Sequence, residues 1–148
     1  MTQLHYRNPA KQYLQRYRAA RTRQQSLLRA VADLRESLTG TTQALRPDPV
    51  TGSGPTDRMA AVVAEIADTE TAMADALAEV NQALRDTLAA IDAVPDETQR
   101  AVLTLRYVEG MDWLAIQARM NYERTQVFVI HGRALVAVNE WLNEKGEG

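Results

Sequence analysis

The chain has 148 residues, with 17 Lys+Arg against 19 Asp+Glu for a net charge of −2, two His, two Trp, five Tyr, one Phe and no Cys. Disulfides, zinc–thiolate sites and a cysteine nucleophile are excluded, and a metal site would have His5 and His131 as its sole imidazoles. The longest unbroken apolar run is six residues, Met59 to Ala64. A membrane helix needs ~20, and Met1 to Asn8 lacks the apolar stretch of a secretory signal, so a soluble protein of one or two small units is expected.

The small net charge conceals an asymmetry. Residues 1–50 carry nine basic and three acidic side chains, residues 51–98 two and ten, and residues 99–148 six of each. A basic segment followed by an acidic one predicts either a nucleic-acid arm or two elements that pair with each other.

The first element is a helix opened by Asn8 as N-cap, with Pro9 at its first position. Tyr13, Tyr17, Ala20, Gln24, Leu27, Val31, Leu34 and Leu38 follow at alternating spacings of four and three, a heptad stripe. The basic residues from Lys11 to Arg35 fall outside it. Gly40, Pro47, Pro49, Gly52, Gly54 and Pro55 then mark a polar loop over 40–56. A second helix is expected from Asp57 to Val94, with Met59, Val63, Ile66, Glu70, Met73, Leu77, Val80, Leu84, Thr87, Ile91 and Val94 as its stripe. Twelve alanines in that span raise its helix propensity. Two such helices joined by one loop fold back most simply as an antiparallel, coiled-coil-like hairpin over 8–94. Its basic flank would meet its acidic flank, and its unfilled side would pack on the C-terminal unit or on a second copy in a homodimer.

Pro95 stops the long helix, and Asp96 and Glu97 favour the first turn of another. Ala101, Val102, Leu105 and Val108 form one face of this short helix, with Leu103 and Tyr107 beside it, and Gly110 ends it. Asp112 is the N-cap of the next helix, Trp113 to Met120, with Leu114, Ile116 and Met120 apolar. Asn121 tolerates the left-handed backbone of a tight turn. A last helix begins near Glu123, with Val127, Ile130, Ala134, Leu135, Val138, Trp141 and Leu142 inward, His131 on their flank, and residues 144–148 frayed. The fold class is thus all-α: a helical hairpin followed, over 95–143, by a three-helix unit of helix-turn-helix form. In that form the second helix of the pair presents its exposed face to base edges in the major groove.

Arg100-Ala-Val-Leu-Thr-Leu-Arg-Tyr-Val-Glu-Gly110, Asp112-Trp-Leu-Ala-Ile116, Val127 and Arg133-Ala-Leu135 resemble region 4 of bacterial sigma factors. More broadly, residues 10–142 resemble a group of small phage and prophage proteins of unknown function that end in this unit. The shared features are Tyr13-Leu14-Gln15-Arg16-Tyr17, Gly52-Ser-Gly-Pro-Thr-Asp-Arg58, the Trp of the helix-turn-helix, and His131-Gly132-Arg133-Ala134-Leu135. The resemblance implies a phage-type transcriptional regulator in the bacterial cytoplasm, with double-stranded DNA as partner and RNA polymerase as a second candidate. The chain departs from the pattern at Gln117, where Ala is usual, at Asn121 in place of Gly, and at Glu123 in place of a Ser or Thr N-cap.

A helical wheel leaves Arg124, Thr125, Phe128, Val129, Gly132 and Arg133 outward, with Gln126 on the flank. Arg124, Gln126 and Arg133 are candidates for base or phosphate contact, Thr125 lies beside them, and Arg119 is a candidate for phosphate. Phe128 and Val129 suit either thymine methyl groups or a protein partner. Arg106, Tyr107 and Trp113 read as bracing and packing. Residues 112–135 hold three basic and two acidic side chains, a weak electrostatic footprint for a DNA reader. No phosphate loop, nucleophile elbow or metal-ligand spacing occurs, so no catalysis, cofactor or small-molecule substrate is expected. The rival readings are a non-catalytic interaction adaptor and a small packaging subunit like that of a phage terminase.

Overall fold

A computed structural model of the chain describes residues 8–44 and 55–146. Among them are five α-helices and no strand: α1 (Pro9–Ala44), α2 (Pro55–Asp92), α3 (Glu97–Leu103), α4 (Trp113–Met120) and α5 (Arg124–Glu144). The all-α class expected from the periodicities holds. The loop is shorter at both ends than its punctuation predicts, because α1 runs through Gly40 to Ala44 and α2 starts at Pro55. A lone Gly costs a helix ~1 kcal/mol, which a long helix tolerates, and Pro55 is suited to a first position. The middle of the expected loop, 45–54, lies outside the described residues.

The chain divides into two compact units, one formed by Met1–Ala20 with Val80–Gly148 and the other by Arg21–Glu79. Compactness therefore groups the bases of both long helices with the C-terminal elements, whereas the punctuation at Pro95 marks a change of element.

In the Arg21–Glu79 unit, Arg23 pairs with Glu79 at 3.2 Å, and Arg35 pairs with Glu70. Partner numbers fall along α2 as they rise along α1, so the two segments run antiparallel. These pairs are solvent-exposed and contribute ~0–1 kcal/mol each, enough to favour one register. The stripe expected on α1 is turned inward at every position described.

On α2 the inward row differs from the expected one. Met59, Ile66, Met73, Val80, Leu84, Thr87, Ile91 and Val94 are inward as expected, but Val62, Thr69 and Ala76 take the inward places expected for Val63, Glu70 and Leu77, and Ala83 and Ala90 are buried beside Leu84 and Ile91. Val63 and Leu77 are instead 52% and 47% exposed, and Glu70 lies outside to meet Arg35. Both rows alternate three and four about Met59, Ile66, Met73, Val80, Thr87 and Val94, so period alone cannot separate them. Alanine in the seam lets two helices approach closely, and that fit outweighs the larger side chains one position on.

The other unit has a continuous core in which Ala10 and Leu14 of α1, Ala90, Ile91 and Val94 of α2, Leu103 and Tyr107, and Ala134, Leu135, Val138 and Leu142 of α5 are buried together. Asn8 caps α1 as expected, accepting from Lys11 N–H at 3.3 Å. Asn139 of α5 adds to that cap: its side-chain oxygen accepts from Ala10 N–H at 2.8 Å and its amide donates to Asn8 Oδ1 at 3.2 Å. Arg100 fixes the α2–α3 corner by donating to the carbonyls of Val94 and Pro95 at 2.7 and 2.8 Å. Arg16 and Asp86 pair at 2.9 Å across α1 and α2.

The Thr87 hydroxyl is buried in this unit and finds no hydrogen-bond partner among the described residues. Thr87→Val removes an unsatisfied polar atom at little change in shape. It is expected to raise stability by about 1 kcal/mol in urea denaturation, and a loss of stability would indicate a hidden partner for the hydroxyl.

The short helix does not keep one face. After Leu103 it widens into a π-helical turn, Thr104–Val108, in which Glu109 N–H donates to the Thr104 carbonyl at 3.0 Å. This turn redirects its side chains. Leu103 and Tyr107 enter the main core, while Leu105 enters a second cluster with Ile116 of α4 and Val127 of α5. Gly110 follows at φ +75°, a backbone angle that favours glycine, and its nearest neighbour is the Arg18 guanidinium, 3.1 Å from where a Cβ would stand. At the far end, α5 reaches Glu144 and closes through Lys145 N–H on the Trp141 carbonyl at 3.1 Å, with the Lys145 ammonium 4.4 Å above the Trp141 ring. Residues 145–146 form an exposed turn beyond the end of α5, and residues 147–148 lie outside the described residues.

Candidate nucleic-acid interface

The site is built on α4 and α5. Asp112 caps α4 by accepting from Ala115 N–H at 2.8 Å. Asn121 takes the left-handed conformation, φ 57° and ψ 44°, and the chain turns through Tyr122, whose N–H donates to the Gln117 carbonyl at 3.1 Å. Glu123 stands at the N-cap of α5 with no side-chain hydrogen bond to the helix, unlike the shorter carboxylate of Asp112 on α4. Ile116 and Val127 bury the facing surfaces of the pair against Leu105.

That packing leaves Arg119 on α4 and Arg124, Thr125, Gln126, Phe128, Val129 and Arg133 on α5 exposed, so every residue singled out on the helical wheel reaches the surface. Leu114 is the correction. It is grouped with Ile116 and Met120 as an apolar residue of α4, yet it is 77% exposed, because Ile116 and the half-buried Trp113 and Met120 already fill the seam. Leu114, Trp113, Gln117, Arg124, Phe128 and Asp112 line a cleft of about 460 Å³ between the two helices. Gly132 is exposed, and a Cβ on it would meet no atom within 4 Å. No neighbour among the described residues therefore accounts for glycine at this helical position.

Beneath the surface runs a series of rings that residue-by-residue reading did not assemble. Tyr107 stacks on His131 at 5.7 Å between centroids, His131 and Trp113 meet in a T-shaped contact at 4.7 Å, and Trp113 meets Phe128 at 5.0 Å. Two guanidiniums cover it: Arg106 lies 4.5 Å over Trp113 and donates to the Met111 carbonyl at 3.0 Å, and Arg124 lies 5.4 Å over Phe128. Arg106 and Trp113 are thus bracing groups, as expected. The series fixes Phe128 and Arg124, at the start of α5, to the buried Tyr107.

Tyr107 and His131 are hydrogen-bonded at 2.8 Å. Burial pushes the Tyr107 phenol up to about 12 against the lowering effect of Arg106. Burial, then the Lys11 and Arg106 charges, lower the His131 imidazole to about 4. Both groups are therefore neutral at pH 7, and an imidazole that accepts the phenol proton at Nε2 carries its own hydrogen on Nδ1.

Among the described residues no group of three His, Asp or Glu is placed to hold a metal, and no helix is long and apolar enough to cross a membrane. Comparison with family models, curated proteins and solved structures finds no match for this chain.

Proposed function

We propose that the protein is a phage- or prophage-type regulator of transcription that binds double-stranded DNA by seating α5 in the major groove, with α4 across the backbone. The observation that carries this reading is the pairing of α4 and α5 about the Asn121 turn, which leaves Arg124, Thr125, Gln126, Phe128, Val129 and Arg133 outward at the start of the second helix. The resemblance of 100–135 to region 4 of sigma factors supports the same reading, and makes RNA polymerase the second partner. Selection of duplexes from a random pool by the full chain tests it. Enrichment of a common short site is expected, and a pool that stays random after several rounds at ~50 mM salt overturns it.

Exposed Gly132 fits this use of α5, because a helix without a side chain there can sit closer to the groove. Gly132→Ala is expected to stabilise the free protein by about 1 kcal/mol, read as a higher thermal midpoint, while weakening binding to a selected duplex. A variant that is more stable and binds equally well removes Gly132 from the interface.

A homodimer is proposed through the Arg21–Glu79 unit. Leu28, Val63 and Leu77 are exposed there, so a second copy related by a two-fold axis would cover apolar surface on both chains. Light scattering should give twice the chain mass, reduced to one chain in Leu77→Lys. A wild-type monomer at tens of micromolar contradicts it.

A further inference from the structure

Resting on the DNA reading above, we infer that the cleft and the outer face of α5 recognise the C5-methyl groups of thymines. The duplex chosen would be one whose A·T pairs present methyls to Phe128 and Val129. Two observations carry this. The exposed surface of α4 and the start of α5 carries as many apolar groups as cations: Leu114, Phe128 and Val129 are 77%, 37% and 46% exposed, beside three arginines, Arg119, Arg124 and Arg133. Phosphate contacts from so few cations give little sequence discrimination, so the apolar groups supply selectivity beside the base contacts open to Arg124, Gln126 and Arg133. The second observation is rigidity. Phe128 is held by Trp113 at 5.0 Å and by Arg124 at 5.4 Å, and that series continues inward to His131 and Tyr107.

The major groove offers one apolar feature on its base edges, the methyl of thymine. A ring fixed at the mouth of a cleft can bury that methyl without paying for ordering a flexible side chain. Gln117 and Arg124 on the cleft wall supply the polar contacts that a neighbouring base edge or phosphate requires. Asp112, also on the wall, is engaged with Ala115 N–H and stabilises α4.

The test uses the full chain and a duplex taken from the random pool, with thymines replaced one at a time by deoxyuridine. That change deletes the methyl and keeps Watson–Crick pairing. At one or two positions the affinity is expected to fall about fourfold, the worth of one buried methyl-sized group. In Phe128→Ala and Val129→Ala the natural duplex should bind more weakly and the difference between thymine and uracil should vanish. Val136→Ala, at an exposed position farther along α5, should retain it. Equal binding of every uracil-substituted duplex overturns the inference and leaves the DNA reading standing. Failure of the chain to retain any duplex overturns the DNA reading itself.

Discussion

Ile116→Ala is expected to cost about 2–5 kcal/mol, the largest effect of any single truncation on α4. Ile116 is 0% exposed and packs with Leu105 and Val127, with Met111, Trp113, Met120 and Tyr122 around them. Three elements meet at this side chain: the π-helical turn, α4 and α5. Its removal leaves an apolar void that water does not fill, and α4 is too short to be stable without that packing. Leu114, two residues earlier, is 77% exposed, and Leu114→Ala is expected to change stability by less than about 0.5 kcal/mol. Urea denaturation followed by circular dichroism reads both. Equal costs, or a larger one at Leu114, would place the inward face of α4 elsewhere.

The second large effect is a dependence on pH centred on His131. The folded imidazole is held neutral down to about pH 4 by burial and by the Lys11 and Arg106 charges. The unfolded chain takes up that proton near its ordinary value of about 6.5. The unfolded state therefore binds more protons between these values. The contribution is fully present above pH 6.5 and is lost as pH falls towards 4, reaching about 2 kcal/mol at pH 5. The loss falls on the ring series that holds Phe128, since a protonated His131 can no longer accept from Tyr107. Chemical-denaturation midpoints at pH 7.5 and pH 5 test this. Wild type should fall steeply between them. His131→Phe should be weaker at pH 7.5 but nearly flat, and an equal fall in the variant would assign the dependence to other groups.

The parts of this fold legible in the sequence were those encoded by local chemistry. The Asn8 and Asp112 caps, the Asn121 turn and the exposed wheel positions of α5 each depend on a residue whose backbone or hydrogen-bonding preference stands out alone. The α2 seam was not legible in the same way. Ala76, Ala83 and Ala90 are inward because two helices approach there, and eleven alanines in one helix cannot reveal which three do so. The π-helical turn was hidden for a related reason. Leu103, Leu105 and Tyr107 must serve two clusters, which a single 3.6-residue period cannot express. At the candidate interface Phe128 and Val129 were visible, but nothing in the sequence separated exposed Leu114 from buried Ile116, since both are apolar residues of α4. The ring series from Tyr107 to Phe128 joins residues up to 24 positions apart in the chain, with His131 as the link, and needed the fold to bring them together.

The most direct measurement of the central claim is the salt dependence of binding to a selected duplex, by fluorescence anisotropy, for wild type and Arg124→Ala. With Arg119, Arg124 and Arg133 as the phosphate-facing cations, the logarithm of affinity should fall against the logarithm of salt with a slope of about −3, and Arg124→Ala should reduce it by about one. No binding at low salt, or binding whose slope is unaffected by loss of Arg124, would contradict placement of α5 against DNA.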